Sequence, residues 1–141
     1  MPYAGPDGIQ AMLEGLMRFG WQGKYEGDVL VGLSRPAEAG GGSVTLEPGG
    51  QLELSGAPLI NIHQTCAEVN RHLGEVRTVA AELGQSYLGI GYTPNWGLED
   101  APQMPKGRYR LMTDYMPSRG TRGLEMMYMT ATVQVNLDFG S

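Results

Sequence analysis

Hydrophobic positions recur at helical spacing in several stretches of the chain. After Pro6, residues Ile9, Met12, Leu13, Leu16, Met17 and Phe19 fall on one face of a helix, with Asp7 placed to cap it and Gly20 to stop it. Between residues 59 and 83, Ile62, Cys66, Val69, Leu73, Val76, Ala80 and Leu83 return every three or four positions, and Gly84 closes the pattern. The spacing predicts a long amphipathic helix whose apolar stripe, Cys66 included, faces the core. A third helix is predicted over residues 108–116, where Pro117 blocks its continuation.

Alternation with a period of two marks the strands. Residues 29–33 and 87–92 are short strand candidates, and residues 44–47 and 51–54 form the clearest hairpin, turned by Pro48-Gly49-Gly50. Near the end of the chain, Thr132, Gln134, Asn136 and Asp138 alternate with Val133, Val135, Leu137 and Phe139, predicting a closing strand with one polar and one apolar face. The Gly-rich stretch 39–42 lacks the Lys-Ser or Lys-Thr ending of a phosphate loop and reads as a connection. Trp96 lies in a Pro-rich loop and is expected to anchor it on the core.

This order of elements predicts an α+β fold: an antiparallel sheet with helices packed on one face. At 141 residues the chain suits one domain. Its composition, with 22 Gly, 9 Pro and 41% hydrophobic residues, fits a turn-rich globular fold. The net charge of -5 and the dispersed Lys and Arg argue against nucleic-acid binding, which needs a clustered basic surface. No apolar run reaches the length of a membrane span, so no membrane partner is expected. The single Cys66 cannot form an internal disulfide, which points to a cytoplasmic setting.

Candidate chemistry gathers around the hairpin. Glu47 precedes its turn while Gln51 and Glu53 share a strand face after it, so carboxylates from neighbouring strands converge on one side of the sheet. Hard divalent cations favour such oxygens, although a solvated polar face has the same pattern. Gln134, Asn136 and Asp138 offer a row of amide and carboxylate groups to a polar ligand, or simply an exposed sheet face. Lys106, Arg108 and Arg110 stand where a helix begins and can receive an anion or serve as ordinary surface charges. His63 and His72 are too far apart on their helix for a metal pair, and Met126, Met127 and Met129 read first as packing residues.

Long phrases of the sequence carry more information than these patterns. SVTLEPGGQLELSGAPL, HQTCAEVNRHL, MPKGRY, DYMP and TVQVNLDF, in this order and spacing, resemble the plant and proteobacterial class of glutamate–cysteine ligases over nearly the whole chain. The resemblance implies a partial glutamine-synthetase-like catalytic fold and makes residues 1–141 a single partial catalytic domain of a longer ligase. It implies an enzyme that uses Mg²⁺ and ATP to join L-glutamate to L-cysteine through a γ-glutamyl phosphate, the first step of glutathione biosynthesis.

Carried over residue by residue, the resemblance makes Glu47 and Glu53 metal ligands. It makes Gln51, Met127, Gln134, Asn136, Asp138 and Arg108 substrate-binding residues, and gives Lys106 to the nucleotide. Because relatives extend beyond both ends, the isolated chain is expected to be incomplete, inactive and prone to self-association through exposed sheet edges. The alternatives are a related carboxylate–amine ligase with another amine substrate and a non-catalytic ligand-binding or scaffold domain.

Overall fold

The computed structural model describes residues 1–135 and Gly140, and it is built as α+β. The first helix, α1 (Ile9–Met17), buries Ile9, Met12, Leu13 and Leu16 completely. Burial of aliphatic side chains of this size contributes about 1.5–3 kcal/mol each. Its cap is the extended backbone of Gly8, without a side-chain acceptor, so the capping role expected of Asp7 is not taken up.

Four antiparallel strands follow in sequence order across one sheet: β1 (Gln22–Glu26), β2 (Val29–Ser34), β3 (Ser43–Leu46) and β4 (Leu52–Ser55). Leu33 pairs with Val44, Val44 with Leu54 and Leu46 with Leu52, and these side chains line the core side. Gly32 pairs with Thr45, and Thr45 with Glu53, on the opposite side. That alternation creates one greasy and one polar face, and the polar face carries the candidate chemistry.

Helix α2 (Ile62–Leu83) is capped by the Asn61 side chain, which accepts from Gln64 N–H at 3.1 Å, and it ends at left-handed Gly84. Its second half packs as expected: Val76, Val79 and Ala80 are buried against α1. Contact is so close at Gly15 that any side chain there would collide with Val79.

The first half of α2 departs from the expected stripe. Cys66 is exposed rather than buried, as are Ile62, Val69 and Leu73, while Glu68, His72 and Glu75 turn inward. The reason is a ready set of polar partners below that face. Arg35 donates to Glu75 at 2.6 Å and stacks over the Trp21 ring, Trp21 Nε1–H donates to the other Glu75 oxygen at 2.8 Å, and Ala57 N–H donates to Glu68 at 3.0 Å. A carboxylate with two or more such donors is stable where an unpartnered one would be costly.

His72 sits within this polar seam, edge-on to Trp21, and its Nδ1 has no hydrogen-bond partner among the described residues. Burial holds its imidazole below the ordinary value of 6.5, Glu75 pulls it upward, Arg35 lowers it further and Glu68 pulls it up again. Because the folded state favours the neutral ring, the stability this provides is full above the unfolded value, begins to be lost as pH falls below it, and is gone once pH has fallen through the lower folded value. The melting temperature of the chain should therefore drop between pH 7.5 and pH 5.5, and a His72→Gln variant should show a flatter profile over that window.

Helix α3 (Gly107–Tyr115) matches its expectation, and a short 3-10 turn carries it through Pro117. The Met-rich stretch forms a fourth helix, α4 (Gly123–Met129), which buries Met127, Tyr128 and Met129 in a second small cluster with Met112 and Met116 from the α3 side.

One expected strand does not form, and a second is described only in part. Residues 87–92 contribute only an isolated bridge, Tyr92 with Thr130. In the described part of the closing strand, residues 132–135, no strand is formed, and Val133 is 92% exposed. Asn136 and Asp138 lie outside the described residues. Trp96 stays half exposed instead of anchoring its loop in the core. Among the described residues no helix is long and apolar enough to cross a membrane.

Candidate functional site at the hairpin corner

The turn between β3 and β4 is the mechanical centre of the site. Glu47 N–H donates to the Gln51 carbonyl at 3.0 Å and Gly50 N–H to the Glu47 carbonyl at 2.9 Å, closing the turn with Gly50 at positive φ. Gln51 then locks this turn to the far end of the chain. Its Oε1 accepts from Gly49 N–H at 2.8 Å, and its Nε2 donates to the carbonyls of Thr130 at 2.7 Å and Met127 at 3.3 Å. Gly49 lies so close to the Tyr128 carbonyl that a side chain there would strike it. The Gln51 amide is thus committed to backbone partners, a role that sequence spacing alone does not reveal.

Glu47 and Glu53 stand on the polar face beside this turn. Thr45 pairs with Glu53 across the ladder, and the Thr45 hydroxyl contacts Glu47 Oε1 at 3.4 Å, which places all three on the same side. Glu53 is exposed, and among the described residues its carboxylate accepts from the neighbouring Ser55 hydroxyl alone, at 3.0 Å. Among the described residues no three His, Cys, Asp or Glu side chains converge to hold a metal ion. Glu47 and Glu53 therefore supply two carboxylates, a donor set that suits part of a hard-cation site, since Mg²⁺ keeps several waters and shares phosphate oxygens.

Lys106 and Arg108 approach the same corner from the start of α3. Lys106 Nζ donates to the Leu46 carbonyl at 2.8 Å and to the Tyr109 hydroxyl at 3.3 Å. Tyr109 is buried and donates its hydroxyl proton to the same Leu46 carbonyl, so the first turn of α3 is pinned to the end of β3. Burial pushes the Lys106 ammonium down and Arg108 adds to the drop, while Glu47, Glu26 and Glu53 draw it back up. The Arg108 guanidinium is held up chiefly by its hydrogen bond to Tyr109 at 3.3 Å, with Glu47 and Glu26 adding to that rise. Two cations and three carboxylates thus share one electrostatic neighbourhood although about sixty residues separate the hairpin from α3.

Next to this corner lies an open hollow of about 480 Å³, lined by Lys106, Tyr109, Arg110, Thr113, Asp114 and Tyr128 among others. Arg110 and Asp114 are four residues apart on α3, the spacing that brings side chains onto one helix face, and this was the available sequence signal for the hollow. Met127 is buried in the α4 cluster, next in sequence to Tyr128 of the hollow's wall, and Gln134 is exposed. Glu26 belongs to the corner as well and had no sequence signal, because β1 was not expected.

The model of glutamate–cysteine ligase family 2 matches residues 1–141. The chain belongs to this family. It is 57% identical over 136 residues to the chloroplastic glutamate–cysteine ligase of Arabidopsis thaliana, covering 96% of this chain and 25% of that protein. It is 56% identical over 134 residues to the chloroplastic enzyme of Nicotiana tabacum, covering 94% of this chain and 25% of the relative. The chloroplastic enzyme of Solanum lycopersicum is 55% identical over 136 residues, with 96% and 25% covered. The chain therefore spans about a quarter of the length of these curated relatives. Their chloroplastic names overturn the cytoplasmic expectation drawn from the single cysteine, since a low cysteine count does not specify a compartment.

Proposed function

We propose that the chain is part of a glutamate–cysteine ligase that forms γ-glutamylcysteine from L-glutamate, L-cysteine and ATP with Mg²⁺, the first step of glutathione biosynthesis. The observation that carries this reading is the match of the family across all 141 residues, together with the gathering of Glu47, Glu53, Lys106 and Arg108 at one corner of the sheet.

The chemistry asks for charge control more than for a covalent protein intermediate. An oxygen of the glutamate γ-carboxylate attacks the terminal phosphorus of ATP and ADP leaves; the cysteine amine then attacks the acyl carbon, loses a proton and expels inorganic phosphate. Both steps gather negative charge, and positioned cations stabilise it. Mg²⁺, when bound, neutralises phosphate oxygens. Glu47 and Glu53 hold that ion from the polar face, Lys106 meets the nucleotide phosphates, and Arg108 orients the glutamate carboxylate. Lys106 is suited to this because its partial burial keeps water from competing for its charge. Gln51 serves the substrate site by holding the turn on which Glu47 and Glu53 depend, and Met127 shapes the pocket for the cysteine thiol.

In this reading the resemblance assigns Gln134, Asn136 and Asp138 to substrate binding, and the surrounding fold is of the glutamine-synthetase-like kind. The test is phosphate release from Mg²⁺-ATP by the full-length parent, with glutamate present and cysteine supplied or withheld. Cysteine-dependent release supports the reading. Release with another amine and not with cysteine favours a related carboxylate–amine ligase, and no release with any amine favours a binding or scaffold role.

A further inference from the structure

We infer that Glu26, at the end of the first strand, is a positioning residue for the cationic corner, acting through the first turn of α3. This inference rests on the ligase reading above and adds a residue to it.

A helix begins with backbone N–H groups that have no partner inside the helix, and a carboxylate nearby satisfies one of them while complementing the positive end of the helix dipole. In α3 the local sequence provides no such group: the cap position is Lys106, whose side chain makes no capping bond, and the first turn holds no acidic residue. The acceptor comes instead from across the fold. Glu26 Oε2 accepts from Gly107 N–H at 3.1 Å, joining residues 81 positions apart in the chain.

Gly107 stands between the two residues that matter. Lys106 is tied on one side to the Leu46 carbonyl and Arg108 on the other to the Tyr109 hydroxyl. A bond to the intervening amide fixes the direction in which both cations leave the backbone. It also occupies a helix-start amide that an incoming phosphate would otherwise take, which leaves anion recognition at this corner to the Lys106 and Arg108 side chains. The Glu26 carboxylate adds to the charge felt by both cations.

Strand β1 is built to deliver this group. Its side chains are mostly exposed, so little packing is gained from them. The register shifts between Lys24 and Tyr25, and Glu26 ends the strand opposite Val29, just before Gly27 turns the chain at positive φ. A register shift of this kind re-aims the residues that follow it.

The experiment compares wild type, Glu26→Ala and Glu26→Gln in the full-length parent, measuring kcat and the KM for each substrate. Glu26→Ala is expected to raise the KM for ATP and for glutamate about fivefold, while the KM for cysteine stays within error and the melting temperature falls only by the small amount that loss of one helix cap brings. Glu26→Gln keeps a carbonyl acceptor for the Gly107 amide and is expected to restore most of the loss. Unchanged KM values for ATP and glutamate in Glu26→Ala overturn the inference, as does an equal loss for all three substrates with a lowered melting temperature, the mark of a merely structural residue. A wild-type parent without cysteine-dependent phosphate release overturns the ligase reading itself, and with it this proposal, so the two failures are distinguishable.

Discussion

Replacing Glu53 by alanine in the full-length parent is expected to lower cysteine-dependent phosphate release by about a hundredfold or more, the usual scale for losing a group that holds charge in place during phosphoryl transfer. The structural cost should be small. Glu53 is exposed, and among the described residues its one side-chain bond is accepted from Ser55, so its removal leaves none of their buried donors without a partner. Surface changes of this kind alter stability by about 0.5 kcal/mol or less. A drop in kcat with an unchanged melting temperature separates loss of a metal ligand from loss of fold. Raising the Mg²⁺ concentration should recover part of the activity, since the proposed role of the carboxylate is to hold that ion. Full activity in Glu53→Ala at ordinary Mg²⁺ would remove this residue from the metal site.

The second large effect lies in the fold and not in the chemistry. Glu75→Ala is expected to destabilise the chain by about 3–5 kcal/mol, the range found when one partner of a buried ion pair is deleted. Arg35 and Glu75 are nearly excluded from solvent, with side chains 7% and 8% exposed, and they meet at 2.6 Å. Removing the carboxylate leaves the Arg35 guanidinium, among the described residues, with the Phe19 carbonyl at 3.0 Å and the Trp21 ring, and it takes away the acceptor of the Trp21 N–H. Glu75→Gln retains an oxygen for one of the two donors and should cost less than the alanine change. Urea unfolding of the three proteins orders these stabilities. Equal midpoints for all three would mean that the seam beneath α2 is not a buried polar contact.

The same seam explains part of what was hidden in the sequence. The period of α2 was legible, yet the inward face of its first half was not. Apolar residues at Ile62, Val69 and Leu73 suggest one buried stripe, but Arg35 and Trp21 approach from the sheet side and make Glu68, His72 and Glu75 the better inward residues. Periodicity records which residues share a face, and partners distant in sequence decide which face turns in. Strand β1 was missed for a related reason: Gln22–Glu26 has no apolar alternation and is held by main-chain pairing to β2. For residues 132–135 the alternation is clear, but alternation specifies two faces without specifying a neighbour, and no strand is formed there.

At the site, the hairpin carried its own local signal, because Pro48-Gly49-Gly50 sets the turn and alternation puts Glu47 and Glu53 on one face. The approach of Lys106 and Arg108 to that face depends on Tyr109 and Lys106 reaching the Leu46 carbonyl, a contact spanning about sixty residues that no local pattern encodes. Their place at a helix start marks Lys106 and Arg108 as candidates, the resemblance to glutamate–cysteine ligases gives them roles, and the fold places them beside the hairpin. The resemblance gave no hint that the Gln51 amide is committed to backbone groups or that Glu26 closes the start of α3.

Phosphate release by the full-length parent in Mg²⁺-ATP, with glutamate saturating and cysteine titrated, bears most directly on the proposed function. The account predicts release that rises with cysteine to saturation and is matched one for one by γ-glutamylcysteine formed. Phosphate release that ignores cysteine, or that yields no γ-glutamylcysteine, would contradict it.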